Sequence, residues 1–247
     1  MYSTNLWYLL HLHRRQIGKW LVLLLVLMPA SASAQLHNLA KNDKKKIHFG
    51  ISFGIPINRF SVTQSDLFLY NDSIKVVESP NKPGFKVGII SDLHLGDNAD
   101  MRFIPSLMFA EKHLIYTEIA PGDDVKTDKT IESIILSFPL SFKYKSDRFF
   151  NENFRFYAVG GVRFDWDLGS NSKARKANDI VKIAPFDFLA EYGVGTEFYF
   201  PLFILSPEIR ISNGIPNLFV PTENLRYSDV LQRLKSRYIT FSIQFEG

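Results

Sequence analysis

Four side chains able to grip a metal ion stand close together in the stretch IISDLHLGDNAD, residues 89–100: Asp92, His94, Asp97 and Asp100. Asp-x-His at the end of an apolar strand sets a carboxylate and an imidazole on one face, because strand side chains alternate. Two metals held by such groups can clamp the attacking and leaving oxygens of a phosphoester. That chemistry needs more imidazoles to complete both coordination shells, and the chain has six His: His11, His13, His37, His48, His94 and His113. None follows His113.

The stretch resembles the opening of the calcineurin-like metallophosphoesterases, a resemblance that implies later Gly-Asn-His, lone His and Gly-His-x-His ligands. The chain has none of these. Gly96-Asp97 also follows Asp92-x-His94 directly, where the resemblance requires a whole strand-helix unit between them. Both departures exclude the phosphatase, so Asp92 and His94 must alternate with Leu93 and Leu95 for another reason.

The elements that position them come from the rest of the chain. Its 247 residues are 46% hydrophobic and include 22 Phe, more flat apolar surface than a soluble domain of this size needs, and far from a disordered composition. Cysteine is absent, which removes disulfides, thiolate metal sites and an acylated lipobox cysteine.

Residues 1–34 read as a secretory signal peptide. His11, Arg14, Arg15 and Lys19 form a positive region, residues 20–28 a short apolar core, and Ala32-Ser33-Ala34 a small-x-small cleavage site before Gln35. The apolar run is shorter than the roughly 20 residues a membrane-spanning helix needs. Of 29 basic and 25 acidic residues, the leader holds Arg14, Arg15, Lys19 and no acid. The exported chain is therefore nearly neutral and carries no nucleic-acid footprint. Residues 35–46 are polar and form a periplasmic N-terminal arm, leaving residues 47–247 as the folded domain.

From Ile47 onward the dominant period is two, the strand signature. In residues 154–168, Phe154, Phe156, Ala158, Gly160, Val162, Phe164, Trp166 and Leu168 share one face, and Arg155, Tyr157, Val159, Gly161, Arg163, Asp165 and Asp167 the other. Eight such runs occur, at 47–58, 84–95, 100–112, 130–145, 153–168, 184–200, 202–213 and 237–246. Each is near or above the roughly 9–11 residues a tilted strand needs to cross a bilayer. Short connections at 95–99, 146–152 and 201 alternate with long ones at 59–83, 113–129, 169–183 and 214–236. That is the pattern of an all-β, eight-stranded antiparallel transmembrane β-barrel with short periplasmic turns and long outer loops. Gly96-Asp97-Asn98 is then turn chemistry, and Asp92 and His94 belong to the inner face of a strand that ends there.

Residue size decides which face points inward. A lumen of eight strands is just wide enough for side chains to fill, and a ring of Phe, Ile and Leu overfills it. The other face offers Gly50, Ser52, Gly54, Gly88, Ser137, Ser141, Gly193 and Gly195 among charges. These are Lys86, Arg102, Lys143, Arg155, Arg163 and Arg210 against Asp92, Asp165, Asp167, Asp187, Glu191, Glu197 and Glu208. Confined charges must pair, so the expectation is a plugged, salt-bridged lumen. Pro56, Pro105, Pro139 and Pro207 fit badly, because each lacks an amide that a closed ladder uses.

The segments FGISFGIPINRF (49–60), PGFKVGIISDLHLG (83–96) and FPLSFKYKSDRFFNENFRFYAVGGVRFDWDL (138–168) resemble the outer-membrane β-barrel family common in Bacteroidota. In that family a Pro-Leu-x-x-Lys strand, matched by Pro139, Leu140 and Lys143, precedes a short turn and an aromatic-Ala-x-Gly-Gly strand. Within it the chain is similar to the PorT/SprT family of the type IX secretion and gliding machinery, over residues 47–245. This resemblance implies an accessory, non-catalytic role in exporting cargo proteins, with other secretion-system membrane proteins as partners. The alternative is a generic structural or adhesive barrel of the OmpA/OmpX type. On either reading the expected partner is outer-membrane lipid, with no nucleic acid and no small-molecule substrate. The expected location is integral in the outer membrane after Sec export. No catalytic, cofactor-binding or metal residue is expected: His113, at the outer end of the third run, has no Ser within a few residues, and catalysis needs nucleophile, base and orienter together.

Overall fold

A sheet whose long apolar face has no layer to cover it must close on itself or meet lipid. The computed structural model, which describes residues 39, 45–65, 68, 74–119, 125–150, 152–170, 181–221 and 230–247, does both. The leader and most of the arm lie outside the described residues, which all belong to the unit His37–Gly247.

Among the described residues thirteen strands follow in order: β1 (Ile47–Gln64), β2 (Ile74–Glu78), β3 (Lys82–Pro83), β4 (Phe85–Gly96), β5 (Ala99–Phe103), β6 (Ser106–Glu118), β7 (Val125–Lys145), β8 (Phe154–Asp167), β9 (Lys182–Ile183), β10 (Phe186–Tyr199), β11 (Ile204–Gly214), β12 (Phe219–Val220) and β13 (Leu231–Glu246). With β5 and β6 counted as one interrupted stave, the ring has eight antiparallel staves: β1, β4, β5/β6, β7, β8, β10, β11 and β13. It closes where β13 pairs with β1, from Gly50 opposite Glu246 to Gln64 opposite Leu231.

The register fixes the tilt. From Asn58 the partners run through Tyr238, Ser212, Glu191, Gly161, Ser141, Arg102 and Asp92 and return to β1 at His48, ten residues from the start. Eight strands offset by that amount tilt by about 40°. Every side chain on this circuit faces inward, so the shift that closes the ring also decides which charges meet.

The apolar face lies outside. Phe49, Ile51, Phe53, Ile55, Ile89, Phe142, Val162, Phe188, Val194 and Phe241 are all exposed, whereas Arg102, Arg163, Lys143 and Glu191 are almost wholly buried. Aromatic rings gather at both levels of the outer wall. Phe154 packs on Phe150, Phe156 and Phe198 near the short turns. Phe164 packs on Phe138, Phe186 and Phe188 toward the long connections. These are the two girdles expected at membrane interfaces.

Two features depart from the sequence reading. The third run is broken at Ile104-Pro105, with Pro139 opposite on β7. Each proline keeps one bond of its pair: Ile104 N–H donates to the Pro139 carbonyl at 3.3 Å, and Ile89 N–H donates to the Pro105 carbonyl at 3.0 Å. Pro56 likewise accepts from Gly84 N–H at 2.7 Å. The ladder loses only the proline's own donor at each point. Strands also reach further than expected, because β1, β6, β7 and β13 continue to Gln64, Glu118, Val125 and Leu231. Above the lipid the outward face turns polar and the inward face apolar, so reading the apolar face stops too early. There Phe60, Ile74, Leu114, Tyr116, Ile131, Leu218, Leu231 and Leu234 form a buried apolar cluster, joined by Val181 and Ile183. The small β9–β12 sheet belongs to it.

Candidate functional site: the charged lumen

The inward residues of the staves meet in two linked clusters. In the one nearer the short turns, Arg102 of β5 donates to Asp92 Oδ2 of β4 at 2.9 Å through Nε and 2.5 Å through Nη2. Its Nη2 also reaches Glu246 Oε1 of β13 at 2.6 Å, and its Nη1 donates to Gln244. Lys143 of β7 pairs with Glu197 of β10 and stands 3.6 Å from Asp92. Tyr199 Oη donates to Glu197 at 2.5 Å, and Tyr157 Oη donates to Glu208 at 3.0 Å. The Lys143 ammonium lies 4.6 Å from the centre of the Tyr157 ring, a cation–π contact that helps replace lost water.

In the second cluster Arg163 of β8 pairs with Asp165 at 2.9 Å and with Glu191 of β10 at 3.0 Å. Arg210 of β11 reaches the other Glu191 oxygen at 3.1 Å and Glu208 at 2.8 Å. Ser212 Oγ donates to Glu191 at 2.6 Å. Glu208 joins the clusters, since Arg102 stands 3.9 Å from it. Further out, Lys112 donates to Ser236 at 3.1 Å and lies between the rings of Phe60 and Tyr238. The polar lumen passes there into the apolar cluster.

Small residues make room for these long ones. A Cβ on Gly195 would lie 2.4 Å from the Tyr157 ring and hydroxyl, so Tyr157 can cross the lumen only because that position is glycine.

The residues of the opening stretch are now placed. Asp92 is an ion-pair partner of Arg102. His94 Nδ1 is 2.7 Å from Asp100, which Lys145 also meets at 2.7 Å. Asp97 sits exposed in the turn. Among the described residues no group of three or more His, Asp and Glu side chains is placed to hold a metal ion. His113 faces the outer wall, with Nδ1 2.8 Å from Asp128 and Nε2 2.7 Å from Glu111. Both ring nitrogens are engaged.

Sequence reasoning placed Arg102, Lys143, Arg163, Glu191, Glu197, Glu208 and Arg210 inward, and they are. Glu197 pairs with Lys143, whereas Arg163 pairs with Asp165 and Glu191. Glu246, which is not in that set, also faces inward, as its shared parity with Thr240, Ser242 and Gln244 signals. Asp100, Lys112 and Lys145 are also buried.

A family model described as "Outer membrane protein beta-barrel domain" matches residues 33–220. No curated protein matches the chain. Among solved structures, it is similar to the outer membrane protein OprG from Pseudomonas aeruginosa, at 13% identity and a TM-score of 0.49, covering 82% of this chain and 95% of that one. It is also similar to Neisserial surface protein A, at 10% identity and 0.39, covering 79% and 95%. Ail, the attachment invasion locus protein of Yersinia pestis, matches at 13% and 0.35, covering 82% and 100%.

Proposed function

Because the chain belongs to the outer membrane protein beta-barrel domain family, we propose that it serves the outer membrane as a closed, non-catalytic barrel, structural or adhesive in role. Its partner on this reading is the lipid of that membrane, with no nucleic acid and no small-molecule substrate. The observation that carries the proposal is the Arg102 cluster, in which one buried guanidinium links staves β4, β5 and β13 across the lumen. An interior so occupied, with an apolar cluster above it, suits a wall element better than a pore. Planar-bilayer recording tests it. The protein should insert without steady conductance, and reproducible open steps from the unmodified protein would refute the closed reading.

A second reading is accessory service to type IX secretion. It is favoured by Pro139, Leu140 and Lys143 followed by the Tyr157-Ala158-Val159-Gly160-Gly161 strand. Copurification from solubilised outer membranes should then recover translocon components, and their consistent absence would leave the structural role alone. Sec export with cleavage after Ala34 belongs to both readings, and N-terminal sequencing of the outer-membrane protein should begin at Gln35.

A further inference from the structure

The outer wall at the β1–β13 seam carries an unbalanced charge. Along β1 the lipid-facing residues run from Ile47 to Ile57, ten residue steps, or about 25 Å along the membrane normal at the tilt above. That matches the height of the apolar band of such barrels. Ile57 stands opposite Ile239 as the last apolar rung, and the next outward rung sets Arg59 opposite Arg237. Lys235 and Arg233 follow on β13, facing Ser61 and Thr63.

Like charges directly opposite in an antiparallel pair repel, so this rung needs an anion. Among the described residues Arg59, Arg233, Lys235 and Arg237 meet no carboxylate, and Arg237 Nε is buried with no hydrogen-bond partner. On β11 the residue beside Arg237 is the uncharged Asn213, and on β3 the residue beside Ile57 is Pro83. Four cations and two hydroxyls thus stand one to three outward rungs beyond the hydrocarbon edge, within the zone of lipid headgroups. Arg is the side chain suited to gripping phosphate through several N–H groups.

We infer that Arg59, Arg237, Lys235 and Arg233 form a binding site for the phosphates of an outer-leaflet glycolipid, lipopolysaccharide. The inference rests on the outer-membrane reading with the long connections outside. Carbonate resistance and heat-modifiable migration are checked first for every protein used, so failure of that reading is seen separately.

The test is thermal unfolding of the lipid-stripped protein in neutral detergent, alone and with added lipopolysaccharide. The unmodified protein should melt several degrees higher with lipopolysaccharide, and dephosphorylated lipopolysaccharide should give no rise. Arg59→Gln/Arg237→Gln should abolish the rise. Without lipid this variant should melt at or above the unmodified protein, because the repulsion is gone. The charge-matched control Lys45→Gln/Lys126→Gln should keep the rise. A full rise in the double variant, an equal rise with dephosphorylated lipid, or failure of the double variant to fold would each overturn the site. An equal rise with inorganic phosphate would overturn its assignment to a lipid. Salt-sensitive oligomers of the unmodified protein that vanish in the double variant without lipid would assign the patch to a second copy instead.

Discussion

Replacing Arg102 with leucine removes the one side chain that meets Asp92, Gln244 and Glu246 together. Arg102 has no measurable exposure, and both carboxylates are nearly as buried. Breaking a buried pair by deleting one partner costs about 3–5 kcal/mol, chiefly because the remaining charge cannot be resolvated. Here two carboxylates lose their cation. Asp92 keeps Lys143 at 3.6 Å, which reduces its share, so the cost should lie within that range rather than at twice it. Lys126→Leu, on an exposed site of the outer wall, should change stability by less than about 0.5 kcal/mol. Reversible urea unfolding in lipid vesicles measures both. A second substitution, Glu246→Gln with Arg102→Leu, should recover part of the loss, because it removes one of the stranded charges. An Arg102→Leu cost below about 1 kcal/mol, or no recovery in the double variant, refutes the claim that the network is dry and mutually dependent.

Three further outcomes follow from the same geometry. Gly195→Ala should destabilise by about 1–3 kcal/mol through displacement of Tyr157, while Gly160→Ala, which meets nothing within 4 Å, should be neutral in the same unfolding assay. Phe53→Arg places a charge within the lipid band and should cost about 2–4 kcal/mol, measurable as a loss of folded, heat-modifiable protein in vesicles. A protease site inserted at residues 96–98 should stay uncut in intact cells, whereas one inserted at residues 120–124 should be cut; cleavage at 96–98 would invert the topology.

The fold was legible because lipid is a demanding solvent. A strand wet on one side and greasy on the other repeats every two residues, as in residues 154–168, and confined charges such as Arg163 and Glu191 have no alternative but the lumen. What could not be read lies where that solvent changes. At Phe60, Leu114 and Leu234 the inward positions become apolar, so the periodicity persists while its sign reverses. The partners of each charge were hidden for a different reason. They depend on the ten-residue offset around the ring, which no local pattern encodes, so nothing in the strand pattern pairs Glu197 with Lys143. Pro105 and Pro139 were legible as anomalies, but only their mutual register shows that one break in the ladder accommodates both.

The reach of Arg102 bears on how the protein assembles. Its contact with Asp92 lies within one hairpin and can form early, whereas Gln244 and Glu246 arrive on the C-terminal strand, from the opposite end of the chain. That strand is also the one that seals the ring against β1. Closing the wall and completing the lumen's charge balance are therefore a single event. A chain truncated before Gln244 would leave its deepest guanidinium half satisfied as well as its seam open, so the interior itself discriminates a finished barrel from an unfinished one.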